Sequence, residues 1–143
     1  MISRLLVAWC LLALTVTMHA AGLSALLRHV SSYTPSPRFW PMTWLLVSVA
    51  WWLLLLHLAE ISVWALFYVW QECLPDAESA FYFSGVTYTT LGYGDVLLPQ
   101  EWRLFGPVEG LTGILMCGLS TGFFFAVVSK YLAAKPASEQ DGS

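Results

Sequence analysis

Ala80-Phe81-Tyr82-Phe83-Ser84-Gly85-Val86-Thr87-Tyr88-Thr89-Thr90-Leu91-Gly92-Tyr93-Gly94-Asp95 is the stretch on which the fold turns. Its first half is apolar and aromatic, yet too short to cross a bilayer: ~30 Å of hydrocarbon takes about 20 helical residues at ~1.5 Å each. Asp76 or Ser79 is placed to cap a helix starting near Ala80, which leaves about two to three turns before Thr90. The second half sets two glycines between bulky residues, and that breaks a helix. Non-helical backbone at membrane depth is tolerated only where protein buries it or where it lines a water-filled cavity. A re-entrant half-helix followed by a loop is the economical reading.

That reading requires a membrane, and the flanking sequence supplies one. Of 143 residues, 58% are hydrophobic and 10% charged, against about 25% charged in soluble domains. No charge falls between Leu5 and Leu27. Only Glu60 falls between Phe39 and Gln71, and only Glu109 between Leu104 and Ser129. Three apolar runs of spanning length make this an all-α integral membrane protein of three transmembrane helices with the re-entrant element between the second and third. The first run exceeds the usual ~7–15 residues of a signal-peptide core and is followed by Arg28 and Arg38, so it reads as a membrane helix with its N-terminus outside.

The expected organisation is an N-terminal transmembrane helix over 1–30, a cytoplasmic linker over 31–41, a helix–loop–helix unit over 42–130 and a cytoplasmic tail over 131–143. The linker Ser31-Ser32-Tyr33-Thr34-Pro35-Ser36-Pro37 is rich in turn formers. Trp40, Trp44, Trp51, Trp52, Trp64 and Trp70 include anchors for both membrane interfaces. Arg28, Arg38, Lys130 and Lys135 fall at the ends that three crossings bring together, which marks that face as cytoplasmic. The other face carries Glu72, Asp76, Glu78, Asp95 and Glu101. The protein is expected in the cell (inner) membrane as a multi-pass chain with a cytoplasmic C-terminus.

Several function classes drop out. No P-loop or dinucleotide-binding glycine pattern appears, and a net charge of −3 leaves no footprint for nucleic acid. No catalytic constellation and no organic substrate is indicated. Cys10, Cys73 and Cys117 lack zinc-type spacing. Cys10 and Cys117 lie in apolar runs, and Cys73 is expected near an aqueous face.

The quoted stretch resembles the filter of the pore-loop potassium channels, Thr-Val/Ile-Gly-Tyr-Gly, matched here by Thr90-Leu91-Gly92-Tyr93-Gly94 with Asp95 following. The context also agrees: helix, acidic loop, half-helix, filter, helix, basic end, over roughly Met42 to Lys130. The whole chain is similar to small bacterial three-helix ion-channel family proteins. The resemblance implies rings of backbone carbonyls, with Thr90, Leu91, Gly92 and Tyr93 binding K⁺ in place of its hydration shell. The side chains of Leu91 and Tyr93 then point away from the ions and brace the loop. One chain supplies one loop and a ring needs four, so the resemblance implies a homotetramer in the lipid bilayer, with K⁺ as its permeant ion and only cofactor.

Three positions depart from the family pattern. Leu91 replaces Val or Ile. Tyr82 and Phe83 stand where several relatives have a bracing tryptophan pair. Val86 occupies a site where some place a glutamate behind the filter. Together they bear on filter stability more than on ion choice, and Leu91 leaves a weakly selective cation channel as one alternative. The other is a non-conducting membrane scaffold or sensor built on buried polar residues.

Those residues are His57 and Glu60, one helical turn apart, and Glu109, expected at similar depth. Charges there cost several kcal/mol unless paired, neutralised or hydrated. The three are expected to form one buried cluster behind the pore, acting as a proton sensor or as a static hydrogen-bonded clamp, with the clamp favoured. A metal site in this cluster has weak support, since only one histidine stands at ligand spacing. His19 reads as a satisfied packing contact. Gly113, Gly118 and Gly122 are candidate bending points in the third crossing, with close helix packing the plainer role. Phe123, Phe124 and Phe125 are placed either for a hydrophobic constriction or for contact with lipid. No helix carries the regular arginines of a voltage sensor.

Overall fold

The computed structural model describes residues 2–32 and 39–133. It contains four helices in chain order: α1 (Ile2–Ser31), α2 (Phe39–Trp70), α3 (Ala77–Tyr88) and α4 (Phe105–Ala133). Three of them, α1, α2 and α4, are long and apolar enough to cross a membrane. With ~1.5 Å rise per residue, the 12 residues of α3 reach about halfway across the hydrocarbon. The proline-rich turn expected at Tyr33–Pro37 and the polar tail from Lys135 lie outside the described residues, as do Arg38 and Lys135 themselves.

The second crossing starts three residues earlier than the apolar run at Met42 suggests. Pro41 sits in the first turn of α2, where a missing N–H costs nothing because that position has no intrahelical acceptor. Pro107 in the first turn of α4 is accommodated in the same way.

Aromatic and aliphatic side chains form three layers along the bundle. At one end Trp64, Phe67, Tyr68, Phe83 and Phe105 pack together with Cys73, and the rings of Phe67 and Phe105 stack with centroids 5.2 Å apart. Cys73 is thus buried in the core, not set at an aqueous face. Midway, Ile61, Tyr88 and Met116 meet Val16. At the far end Leu26, Val30, Leu45, Val49, Leu53 and Val127 converge, with Phe123 and Phe124 against them. Those two phenylalanines therefore pack within the chain, while Phe125 is exposed.

The layers fix the direction of each helix. Arg4, at the start of α1, donates to the Glu101 carbonyl at 3.2 Å and lies 3.6 Å from its carboxylate. Its guanidinium also stands 5.0 Å from the Trp102 ring centroid. Such a half-exposed pair contributes at most about 1 kcal/mol, but it ties α1 to the loop preceding α4. The start of α1 thus lies beside the C-terminal end of α2 and the N-terminal end of α4, while Arg28 and Lys130 lie toward the opposite end of the bundle. Along all three spans, large apolar side chains such as Leu14, Leu66 and Leu111 are exposed, a surface suited to hydrocarbon or another protein.

Candidate functional site: the half-helix, its loop and two buried carboxylates

Asp76 caps α3. Its backbone is extended and its carboxylate Oδ1 accepts from the Ser79 amide at 2.7 Å, satisfying one of the free N–H groups of the first turn. Of the two expected caps, then, Asp76 acts and Ser79 donates. These hydrogen bonds hold the Asp76 carboxyl below the usual carboxylate range. At the other end the Thr89 amide bonds to Gly85 O at 3.1 Å and the Thr90 amide to Thr87 O at 2.9 Å.

From there the chain turns back under the helix it has left. The Val86 carbonyl accepts from both Leu91 N, at 2.9 Å, and Gly92 N, at 3.2 Å. Thr90, Gly92 and Gly94 have φ of 61°, 56° and 78°, alternating with Leu91 and Tyr93, which stay out of the left-handed region. In a plain strand successive carbonyls alternate sides; a φ of alternating sign swings them toward one side. Glycine takes positive φ freely, whereas a β-branched residue there costs about 1–3 kcal/mol. Thr90 is therefore a strained position held by its surroundings.

The loop is braced from α3. Tyr82 donates its hydroxyl to Asp95 Oδ2 at 2.7 Å, which lowers the Asp95 pKa and raises that of Tyr82. Phe83 instead turns into the core, edge-on to Tyr68 at 5.4 Å. A cleft of about 440 Å³ behind the loop is lined by Tyr82, Phe83, Val86, Gly92, Gly94 and Arg103, among others. Leu91 and Tyr93 are 56% and 69% exposed, so within one chain neither acts as the brace expected of it.

The buried polar residues differ from the single cluster expected of His57, Glu60 and Glu109. Glu109 belongs to one arrangement and the two others to a second. Glu109 Oε2 accepts from Tyr68 Oη at 2.7 Å, and Ser84 Oγ lies 2.5 Å from Oε1. The same Ser84 hydroxyl stands 2.9 Å from the Ile61 carbonyl. Glu60 accepts from Tyr88 Oη and lies 2.7 Å from His19 Nδ1. His57 Nδ1 is 3.0 Å from Tyr88 Oη and 3.6 Å from Glu60 Oε2. Ser84 and Tyr88 are four residues apart on α3 and share a face, so one side of the half-helix engages both carboxylates in turn.

His19 is accordingly no mere packing contact: it is fully buried and is the nearest imidazole to Glu60. Tyr88 and Ser120 are further participants that spacing alone does not mark. Ser120 Oγ lies 3.0 Å from His57 Nε2 and 3.3 Å from His19 Nε2.

The three candidate bending glycines fall into two kinds. A Cβ on Gly113 would collide with the Tyr88 carbonyl oxygen, so Gly113 lets α4 run against the end of α3. At Gly118 and Gly122 an added Cβ meets nothing within 4 Å.

Comparison with known proteins adds one positive result. Residues 52–130, more than half of the chain, match the family described as "Ion channel". No curated protein and no solved structure matches the chain.

Proposed function

The chain belongs to the ion channel family, and from that membership we propose that it conducts K⁺ passively through the Thr90–Gly94 loop of a homotetramer. It is a membrane channel-family protein and not an enzyme. The observation that carries the finer reading is the positive φ at Thr90, Gly92 and Gly94. Carbonyls swung to one side replace a cation's water shell when four loops face a common axis. The loop follows the C-terminal end of α3, whose partial negative charge favours a cation nearby.

Support for several copies comes from the surface. Leu91 and Tyr93 are large, apolar or aromatic and exposed, and the cleft behind the loop has space that neighbouring side chains would fill. Cyclic symmetry is the ordinary way to close such a set. Arg28 and Lys130 lie at the end opposite the loop, which supports a cytoplasmic C-terminus and an outward filter in the inner membrane. The division into an N-terminal helix over 1–30 and a pore unit over 42–130 fits the matched segment. Glu60 and Glu109, each held by hydroxyl or imidazole partners, act in this reading as clamps on α3.

A weakly selective pore is the second reading. It rests on Leu91, whose branched side chain differs in shape from Val or Ile beside the strained Thr90. Native mass spectrometry of the purified protein, paired with K⁺ and Na⁺ efflux from loaded liposomes, tests the proposal. Tetramers with K⁺ efflux well above Na⁺ support it; monomers or dimers with no efflux contradict it, and equal efflux selects the second reading.

A further inference from the structure

Deep in the bundle, near the middle of all three long helices, two imidazoles converge on one carboxylate. His19 comes from α1, His57 and Glu60 from α2. One ligand atom from each lies within 4.8 Å of the others. His19 and Glu60 are fully enclosed, while the His57 side chain is 17% exposed, leaving one open edge.

The orientation of the rings is informative. Both histidines present Nδ1 to the carboxylate, at 2.7 Å for His19 and 3.6 Å for His57. Both turn Nε2 to the same hydroxyl, Ser120 Oγ, at 3.3 and 3.0 Å. A hydroxyl oxygen has two lone pairs and accepts two N–H donors. Both Nδ1 atoms are aimed at Glu60; at 2.7 Å a proton lies between His19 Nδ1 and the carboxylate, and a metal ion bound there would displace it while Nε2 stays on Ser120. Histidines that bind metals are held in this way, the second nitrogen fixed by an outer hydrogen bond that sets the tautomer. The ring centroids are 5.3 Å apart, close enough for both to reach a common ion.

We propose that His19, His57 and Glu60 form a binding site for a divalent transition metal of the zinc type. Two nitrogens and a carboxylate oxygen are the donor set such ions prefer, whereas K⁺ and Mg²⁺ prefer oxygens alone. Tetrahedral coordination with bonds of about 2.0–2.2 Å requires only small rotations of these side chains. Tyr88 Oη, 3.0 Å from His57 Nδ1 and bonded to Glu60, stands at the fourth side. The open edge at His57 provides entry. Because Tyr88 ends α3 immediately before Thr89 and Thr90, a bound ion ties the base of the loop to α1 and α2. The inference stands on this cluster and does not depend on which ion the pore conducts.

The test uses the full-length protein in detergent, stripped with a chelator and titrated with Co²⁺ and then Zn²⁺. The wild type is expected to bind one Co²⁺ per chain, with the intense visible bands of a tetrahedral site, which Zn²⁺ abolishes. Ser120→Ala keeps all three ligands but loses their orienting hydroxyl, and its affinity should fall about 10–100-fold. His57→Gln and His19→Gln should lose the bands. His29→Gln, at the exposed end of α1, should retain them. Should His19→Gln fail to elute as a folded species, the more exposed His57→Gln decides alone. Absent bands in the wild type, bands that survive in His57→Gln, or bands lost in His29→Gln overturn the proposal.

Discussion

Tyr68 on α2 donates its hydroxyl to Glu109 on α4 at 2.7 Å, and Ser84 on α3 stands 2.5 Å from the other carboxylate oxygen. One side chain thereby holds together the two helices that flank the half-helix and the half-helix itself. All three participants are buried. Burial of all three makes the arrangement sensitive to the loss of a single partner.

Tyr68→Phe leaves the Glu109 carboxylate with one side-chain partner and is expected to cost about 1–3 kcal/mol of stability. Glu109→Gln, which retains size and one of the two acceptor oxygens, should cost less than Glu109→Ala, which loses both and opens a cavity. Thermal unfolding in detergent, followed by tryptophan fluorescence, measures the order. Equal midpoints for the wild type and Tyr68→Phe would remove the clamp from the account.

Gly113 and Gly118 separate packing from bending. Alanine at 113 drives a methyl into the Tyr88 carbonyl and must push α3 away from α4, whereas alanine at 118 meets open space within the chain. Gly113→Ala should therefore fold poorly or lose current, and Gly118→Ala should accumulate like the wild type. Comparable yields and currents for the two variants would contradict the close approach.

Gly92→Ala probes the loop backbone alone, since nothing lies within 4 Å of the added methyl and φ is +56°. A left-handed L-residue costs about 1–2 kcal/mol, which the loop escapes by leaving that conformation. Conduction should disappear while the elution volume of the purified protein is unchanged. Undiminished K⁺ flux would show that the carbonyl arrangement is not what conducts.

The pH response of the loop follows from Tyr82 and Asp95. The Tyr82 hydrogen bond lowers the Asp95 pKa below its ordinary 3.8. A carboxyl with a depressed folded-state pKa contributes stability above the unfolded value, lost as pH falls through the folded one. Tyr82→Phe removes the bond, so Asp95 should then protonate at higher pH than in the wild type. An NMR titration of the labelled Asp95 carboxyl should show an upward shift in the variant; coincident curves would rule out the brace.

Legibility in the sequence tracked how local the information was. The half-helix, its acidic cap and the glycine loop are written in consecutive residues, because capping and positive φ are properties of a few neighbouring side chains. The three crossings were equally plain from charge-free length. The buried clusters were not, because they depend on how helices distant in sequence are registered. His19 has no partner within its own helix; its place opposite Glu60 follows from close packing of α1 on α2, where Gly22 sits so near Leu56 that a Cβ would come within 2.6 Å of a methyl carbon. The one available signal was energetic, since a polar ring in the middle of an apolar span demands a partner. Similar depth in the sequence suggests one cluster for Glu60 and Glu109, but Tyr88 and Ser84, a turn apart on α3, take one carboxylate each.

The central claim is a K⁺-selective pore formed by the Thr90–Gly94 loop. Its most direct test is the zero-current potential of the purified protein in a planar bilayer, with K⁺ on one side and an equal concentration of Na⁺ on the other. The account predicts a potential far from zero, toward the K⁺ equilibrium value. A steady current that reverses at zero would contradict it.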